Sequence, residues 1–142
     1  MTKRILIVED QEDNRTIMRD LLTTAGFTLI EAIDGEEGVK LAASEHPDLI
    51  LMDIQLPGLD GYEATRRIRA MAELKSTPII AVTSYALSGD EAKCRAAGCD
   101  GQVSTRGVAW SSVIALEVYL VGLSLSGHLI LREYRGEPPG RR

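Results

Sequence analysis

The chain has 142 residues, 44% of them hydrophobic and 26% charged, which is the composition of one folded domain and excludes an intrinsically disordered chain. Residues 1–106 carry 12 basic against 18 acidic side chains, a net −6, while residues 107–142 carry four against three; an acidic main part repels nucleic acid, so direct DNA binding is not expected. The apolar run before Glu9 and Asp10 is too short for a signal peptide, which points to the cytoplasm, and Cys94 and Cys99 fit neither a zinc pattern nor a disulfide framework, reading instead as packed thiols.

Residues 5–8 form a continuous apolar run ended by acids, the pattern of a short strand buried on both faces, and residues 48–52 and 78–82 repeat it. Residues 14–25 carry Ile17, Leu21 and Leu22 at helical spacing and stop at Gly26; a weaker strand follows at 28–32, and Asp34-Gly35 turns the chain. A second helix is predicted over 36–44, ended by His46-Pro47, a third over 62–71 behind Asp60-Gly61, and a fourth over 89–97 closed by Gly98. Residues 99–104 make a fifth strand of marginal length. Strand and helix alternating through such short connections predict an α/β fold, a doubly wound parallel sheet whose ligands gather at the carboxyl ends of the strands.

The pattern changes after that strand. Residues 112–125 read as a helix with two apolar stripes, Val113, Leu116, Leu120 and Leu123 on one and Ile114, Val118, Val121 and Leu125 on the other, or as strands turning near Gly127. Glu117, Gly122, Ser124 and His128 argue against a membrane span, and the surplus apolar face predicts a homodimer contact. The expected division is a core at 1–106, an atypical apolar segment at 107–135 and a loose tail at 136–142.

Chemistry is expected at the strand ends. Glu9 and Asp10 end the first strand and Asp53 the third, and these strands lie side by side in such a sheet, so three carboxylates converge and call for a cation. Oxygen-only ligands suit Mg2+, beside which a carboxylate can attack phosphorus; Asp53 is the nucleophile. Thr83 ends the fourth strand, where its hydroxyl can sense a phosphoryl oxygen, and Ser84 follows it. Singly each residue is an ordinary strand end or turn former; jointly they make a site.

Ile-Leu-Ile-Val-Glu-Asp at 5–10, Pro-Asp-Leu-Ile-Leu-Met-Asp-Ile-Gln-Leu-Pro-Gly-Leu-Asp-Gly at 47–61 and Pro-Ile-Ile-Ala-Val-Thr-Ser-Tyr-Ala at 78–86 resemble the receiver domain of two-component response regulators, especially the free-standing CheY-like ones. The resemblance implies a five-stranded (βα)5, flavodoxin-like domain that takes a phosphoryl group onto Asp53, with Mg2+ held by Glu9, Asp10, Asp53 and the backbone carbonyl of Gln55. It implies a sensor histidine kinase or phosphotransfer protein as donor, a downstream protein as target, and only slow self-catalysed phosphorylation and dephosphorylation. In that family Pro57-Gly58 and Asp60-Gly61 form the loop over the site, Gly61 as a turn requirement.

The last strand and last helix depart from the family. Gln102 stands where an aromatic switch is expected, and an amide on the surface lacks the apolar body for that role; Thr105 replaces the Lys that grips the phosphoryl oxygen, and Arg106 the following Pro. Arg106 could supply that charge only through a local twist or bulge, since neighbouring strand residues face opposite ways. The abrupt change near Gln102 reads as a replaced ending, such as a shifted reading frame produces. The alternative function is accordingly a degenerate receiver acting as a phosphorylation-independent interaction module. A haloacid dehalogenase-like phosphatase would need a second Asp where Gln55 stands, and a dinucleotide-binding enzyme would need glycines where Glu9 to Asp13 present acids.

Overall fold

A computed structural model describes residues 3–83 and 90–104. The elements are β1 (Arg4–Val8), α1 (Glu12–Thr24), β2 (Thr28–Ala32), α2 (Gly35–Glu45), β3 (Leu49–Asp53), α3 (Gly61–Arg69), β4 (Ile79–Thr83), α4 (Asp90–Ala97) and β5 (Gly101–Ser104), with a 3-10 turn at Ala72–Leu74. All strand pairs are parallel and the order is β2-β1-β3-β4-β5, the predicted doubly wound (βα)5 sheet with β1 beside β3. Residues 84–89 and 105–142 lie outside this description, and with them the expectations for Ser84, Thr105, Arg106 and the segments 107–135 and 136–142. Among the described residues no helix is long and apolar enough to cross a membrane.

The sheet is buried because its strands are aliphatic on both faces. Leu6, Val8, Ile50, Met52, Ile79 and Ala81 share one core with α2, α3 and α4 residues such as Ala42, Ala64, Ile68 and Cys94, whereas Ile5, Ile7, Leu49, Leu51 and Ile80 lie with Met18 and Leu22 of α1. Strand side chains alternate faces, so one unbroken apolar run feeds two cores.

The helix starts follow from their caps. Asp34 accepts from the Glu37 N–H at 2.8 Å and Asp60 from the Glu63 N–H at 2.9 Å, each satisfying a donor that the first turn leaves open. His46 takes the left-handed conformation at φ 45°, and Pro47 behind it bars continuation of α2. Three boundaries differ from the sequence pattern by two residues, the others by one at most. The first helix begins at Glu12, because the Arg15 N–H already reaches the Gln11 carbonyl at 3.0 Å. The third stops at Arg69 rather than Met71, where the chain tightens into the 3-10 turn. β5 begins at Gly101 because Cys99 and Gly98 close α4, their N–H groups donating to the carbonyls of Cys94 at 2.9 Å and Arg95 at 3.0 Å, with Gly98 at φ +106°.

Candidate metal centre

Val8 pairs with Met52 at the end of the β1–β3 ladder, and one step beyond that pair come Glu9 and Asp53. Asp10 follows Glu9 into the β1–α1 loop. The three carboxylates each bring an oxygen to within 4.8 Å of the others, so the topology assembles the expected acidic cluster at the carboxyl edge of the sheet.

Glu9 is the deepest member, 6% exposed. Its Oε1 accepts from Asn14 Nδ2 at 2.5 Å, while its Oε2 is buried with no N–H or hydroxyl donor among the described residues. Arg15 Nη1 donates to the Glu9 backbone carbonyl at 2.9 Å, and the Glu9 N–H donates to the Ala32 carbonyl at 3.0 Å, so the strand end is tied on both sides. Asp10 is partly exposed and accepts from Gln11 Nε2 at 3.4 Å.

Asp53 is half-buried, and its Oδ1 accepts from the Gln55 N–H at 3.0 Å. Burial, then the hydrogen bond and negative charge of Glu9, push its carboxyl up to about 9, with Asp10 adding repulsion and the Gln55 N–H opposing the rise. The close approach of Glu9 and Asp53 thus favours a proton on the pair. Once Asp53 gives up its proton, the buried Glu9 Oε2 has no donor among the described residues and two negative charges stand side by side, an arrangement a hard cation completes.

Gly61 sets how close α3 comes to this site. A Cβ on it would lie 2.1 Å from the Asp53 carbonyl oxygen and 2.7 Å from Ile54 Cα. The requirement is close approach rather than the expected turn conformation; the positive φ belongs to Gly58, at +73°. Thr83 is the last residue of β4, buried, one step past the Val82 that pairs with Asp53. Gln102 pairs in register with Ala81 and is half-buried, its Oε1 enclosed without a partner among the described residues, which corrects the expectation of a surface amide: its neighbour in the ladder faces the core and carries it inward. Cys94 and Cys99 are both buried, and a hydrogen bond with Cys94 together with burial pushes the Cys99 thiol up, which keeps it an inert packing group.

Asn14 and Arg15 were not among the residues singled out in the sequence. Their signal was available in principle: an amide and a cation in the first turn of the helix that follows the two acids.

Residues 5–106 match the response regulator receiver domain. The polar-differentiation response regulator DivK of Brucella ovis is 46% identical over 104 residues, spanning 73% of this chain and 85% of that protein. Among solved structures, the receiver domain of the sensor histidine kinase PA1611 from Pseudomonas aeruginosa, with a magnesium ion coordinated in its active-site cleft, is 35% identical with a TM-score of 0.75, covering 86% of this chain and 99% of that one. The Vibrio cholerae chemotaxis protein CheY4, at 23% identity and a TM-score of 0.75 over 82% of this chain and 96% of its own, shares the fold. The chain belongs to the response regulator receiver family and is a module of two-component signal transduction.

Proposed function

We propose that Asp53 is the phosphoacceptor, that Glu9, Asp10, Asp53 and the backbone carbonyl of Gln55 hold Mg2+, and that Thr83 senses the phosphoryl group. The observation that carries this reading is the buried Oε2 of Glu9, with no N–H or hydroxyl donor among the described residues, within the three-carboxylate cluster. All donors are oxygens, which suits Mg2+ over softer metals. The magnesium in the active-site cleft of the Pseudomonas relative supports the same assignment.

Bound Mg2+ would supply the positive charge that lets Asp53 ionise and would neutralise incoming phosphoryl oxygens. The Gln55 N–H at 3.0 Å from Oδ1 fixes the plane of the Asp53 carboxylate. A carboxylate oxygen then forms the O–P bond in line as the N–P bond to the donor's phosphohistidine breaks, and the leaving nitrogen keeps that electron pair. The hydroxyl of Thr83, one step past the residue paired with Asp53, donates to a phosphoryl oxygen. The resulting acyl phosphate hydrolyses slowly, and the signal passes by contact with a downstream protein in the cytoplasm. Self-association through residues 107–135 belongs to the same proposal; light scattering that finds only monomer at high concentration removes that part.

The decisive experiment is incubation with Mg2+ and acetyl phosphate followed by intact-mass measurement. One added phosphate is expected in the parent and none in Asp53→Asn; an adduct that survives in Asp53→Asn, or no adduct in the parent, refutes the assignment.

A further inference from the structure

We propose that Asn14 is a positioning residue that makes Glu9 a one-oxygen ligand and thereby sets both the affinity and the size preference of the cation site; this rests on the metal reading above. Both ends of Glu9 are gripped from the first turn of α1. Arg15 Nη1 holds its backbone carbonyl at 2.9 Å, and Asn14 Nδ2 holds its Oε1 at 2.5 Å. A glutamate side chain has several rotatable bonds, and fixing one carboxylate oxygen removes most of its rotamers. What remains presents Oε2, buried and with no N–H or hydroxyl donor among the described residues, to Asp10 and Asp53.

The donor is an amide, which orients the carboxylate without net charge, whereas an ammonium in the same place would repel a cation. Because Asn14 takes a lone pair of Oε1 and fixes the tilt of the carboxylate, Oε2 is the oxygen presented, and chelation by both oxygens must turn the group against that hydrogen bond. Single carboxylate oxygens suit the small, octahedral Mg2+; Ca2+, larger and more flexible, readily takes bidentate carboxylates. Asn14 therefore favours Mg2+ over Ca2+.

Titration of the full chain with MgCl2 and with CaCl2, followed by backbone amide resonances, tests this in the parent and in Asn14→Ala and Asn14→Leu. Ala and Leu are both better helix formers than Asn, so neither change weakens α1 by propensity. Loss of an outer hydrogen bond of this kind typically costs about tenfold in metal affinity, and we expect that weakening for Mg2+ with Ca2+ altered by less than about threefold. In a Glu9→Asp background, whose shorter carboxylate is withdrawn from Asn14, adding Asn14→Ala should change Mg2+ binding by less than about twofold, as a double-mutant cycle requires of a residue acting through Glu9. Unchanged Mg2+ constants in both Asn14 variants, equal losses for the two cations, or a tenfold loss persisting in Glu9→Asp would overturn the inference and leave the metal site standing. A parent that binds no Mg2+ at millimolar concentration would overturn both.

Discussion

Asp53 closes a strand of buried aliphatic residues, and the low polarity that stabilises β3 is also what makes its carboxyl hard to ionise. The consequence is a stability that depends on pH and metal together. The folded protein holds the Asp53 proton up to about 9, far above where an unfolded aspartate loses it. Between those two values the native state binds more protons than the unfolded one, so without metal stability is greatest in acid and falls as pH rises toward 9. In EDTA, melting temperature should therefore decline from pH 5 to pH 8. Asp53→Asn should flatten the decline and stabilise at pH 8 by about 1–2 kcal/mol after allowance for solvent access, a few degrees in melting temperature. Millimolar Mg2+ should erase most of the decline in the parent and little in Asp53→Asn; a metal-free melting temperature independent of pH across this range would contradict the account. The three acids were legible in the sequence because strand ends in a parallel sheet converge by topology alone. Asn14 was not, since its bond to Glu9 depends on the path of the loop between β1 and α1. The inward turn of Gln102 escaped for a related reason: register with Ala81 decides its face, and a marginal strand does not declare its register.

Whole elements repeat this division between local pattern and long-range contact. Aliphatic runs ended by acids, Asp-Gly at two helix starts and His46-Pro47 at a helix end were readable because each obeys a nearest-neighbour rule of capping or alternation. The boundary of α3 was misplaced because nothing in residues 70–74 forbids further helix; the 3-10 turn there owes its form to tertiary partners. The other end of α3 offers a test of how an element positions the site. Gly61→Ala would place a methyl 2.1 Å from the Asp53 carbonyl oxygen, so α3 or the end of β3 must move. We expect a loss of roughly 2–4 kcal/mol in stability, in the range of overpacked backbone contacts, together with weakened Mg2+ binding. Gly58→Ala is the control: at φ +73° with nothing within 4 Å of its Cβ, it should cost only about 1 kcal/mol for the left-handed conformation and leave Mg2+ binding unchanged. Urea melts paired with Mg2+ titrations separate the two, and equal effects on Mg2+ binding would show that approach of α3 does not set the site.

Across the whole molecule, the acidic site lies at one edge of the sheet while a single side chain at the other ties together four neighbouring segments. Arg69, 17% exposed at the end of α3, donates through Nε to the Gly98 carbonyl at 2.8 Å and through Nη1 to the carbonyls of Leu74 at 2.9 Å and Thr77 at 2.6 Å. Its Nη2 meets Asp100 Oδ2 at 2.6 Å, and the same oxygen accepts from the Ile79 N–H at 2.9 Å. One guanidinium thus joins α3, the 3-10 turn, the start of β4 and the turn into β5. Only a planar, always-charged group with five donors can meet acceptors in so many directions, and lysine offers a single point. Arg69→Ala should cost about 3–5 kcal/mol, because it strands carbonyls and a partly buried carboxylate, and Arg69→Lys should recover less than half of that. Since the clamp lies at the amino ends of β4 and β5 while Asp53 and Thr83 lie at carboxyl ends, the molecules that stay folded should take up phosphate from acetyl phosphate at the parent's rate. Urea melts beside phosphorylation kinetics at low temperature measure the two independently. A rate loss in fully folded Arg69→Lys would mean that the amino edge of the sheet governs the chemistry at the opposite edge, and that the clamp is more than a structural tie.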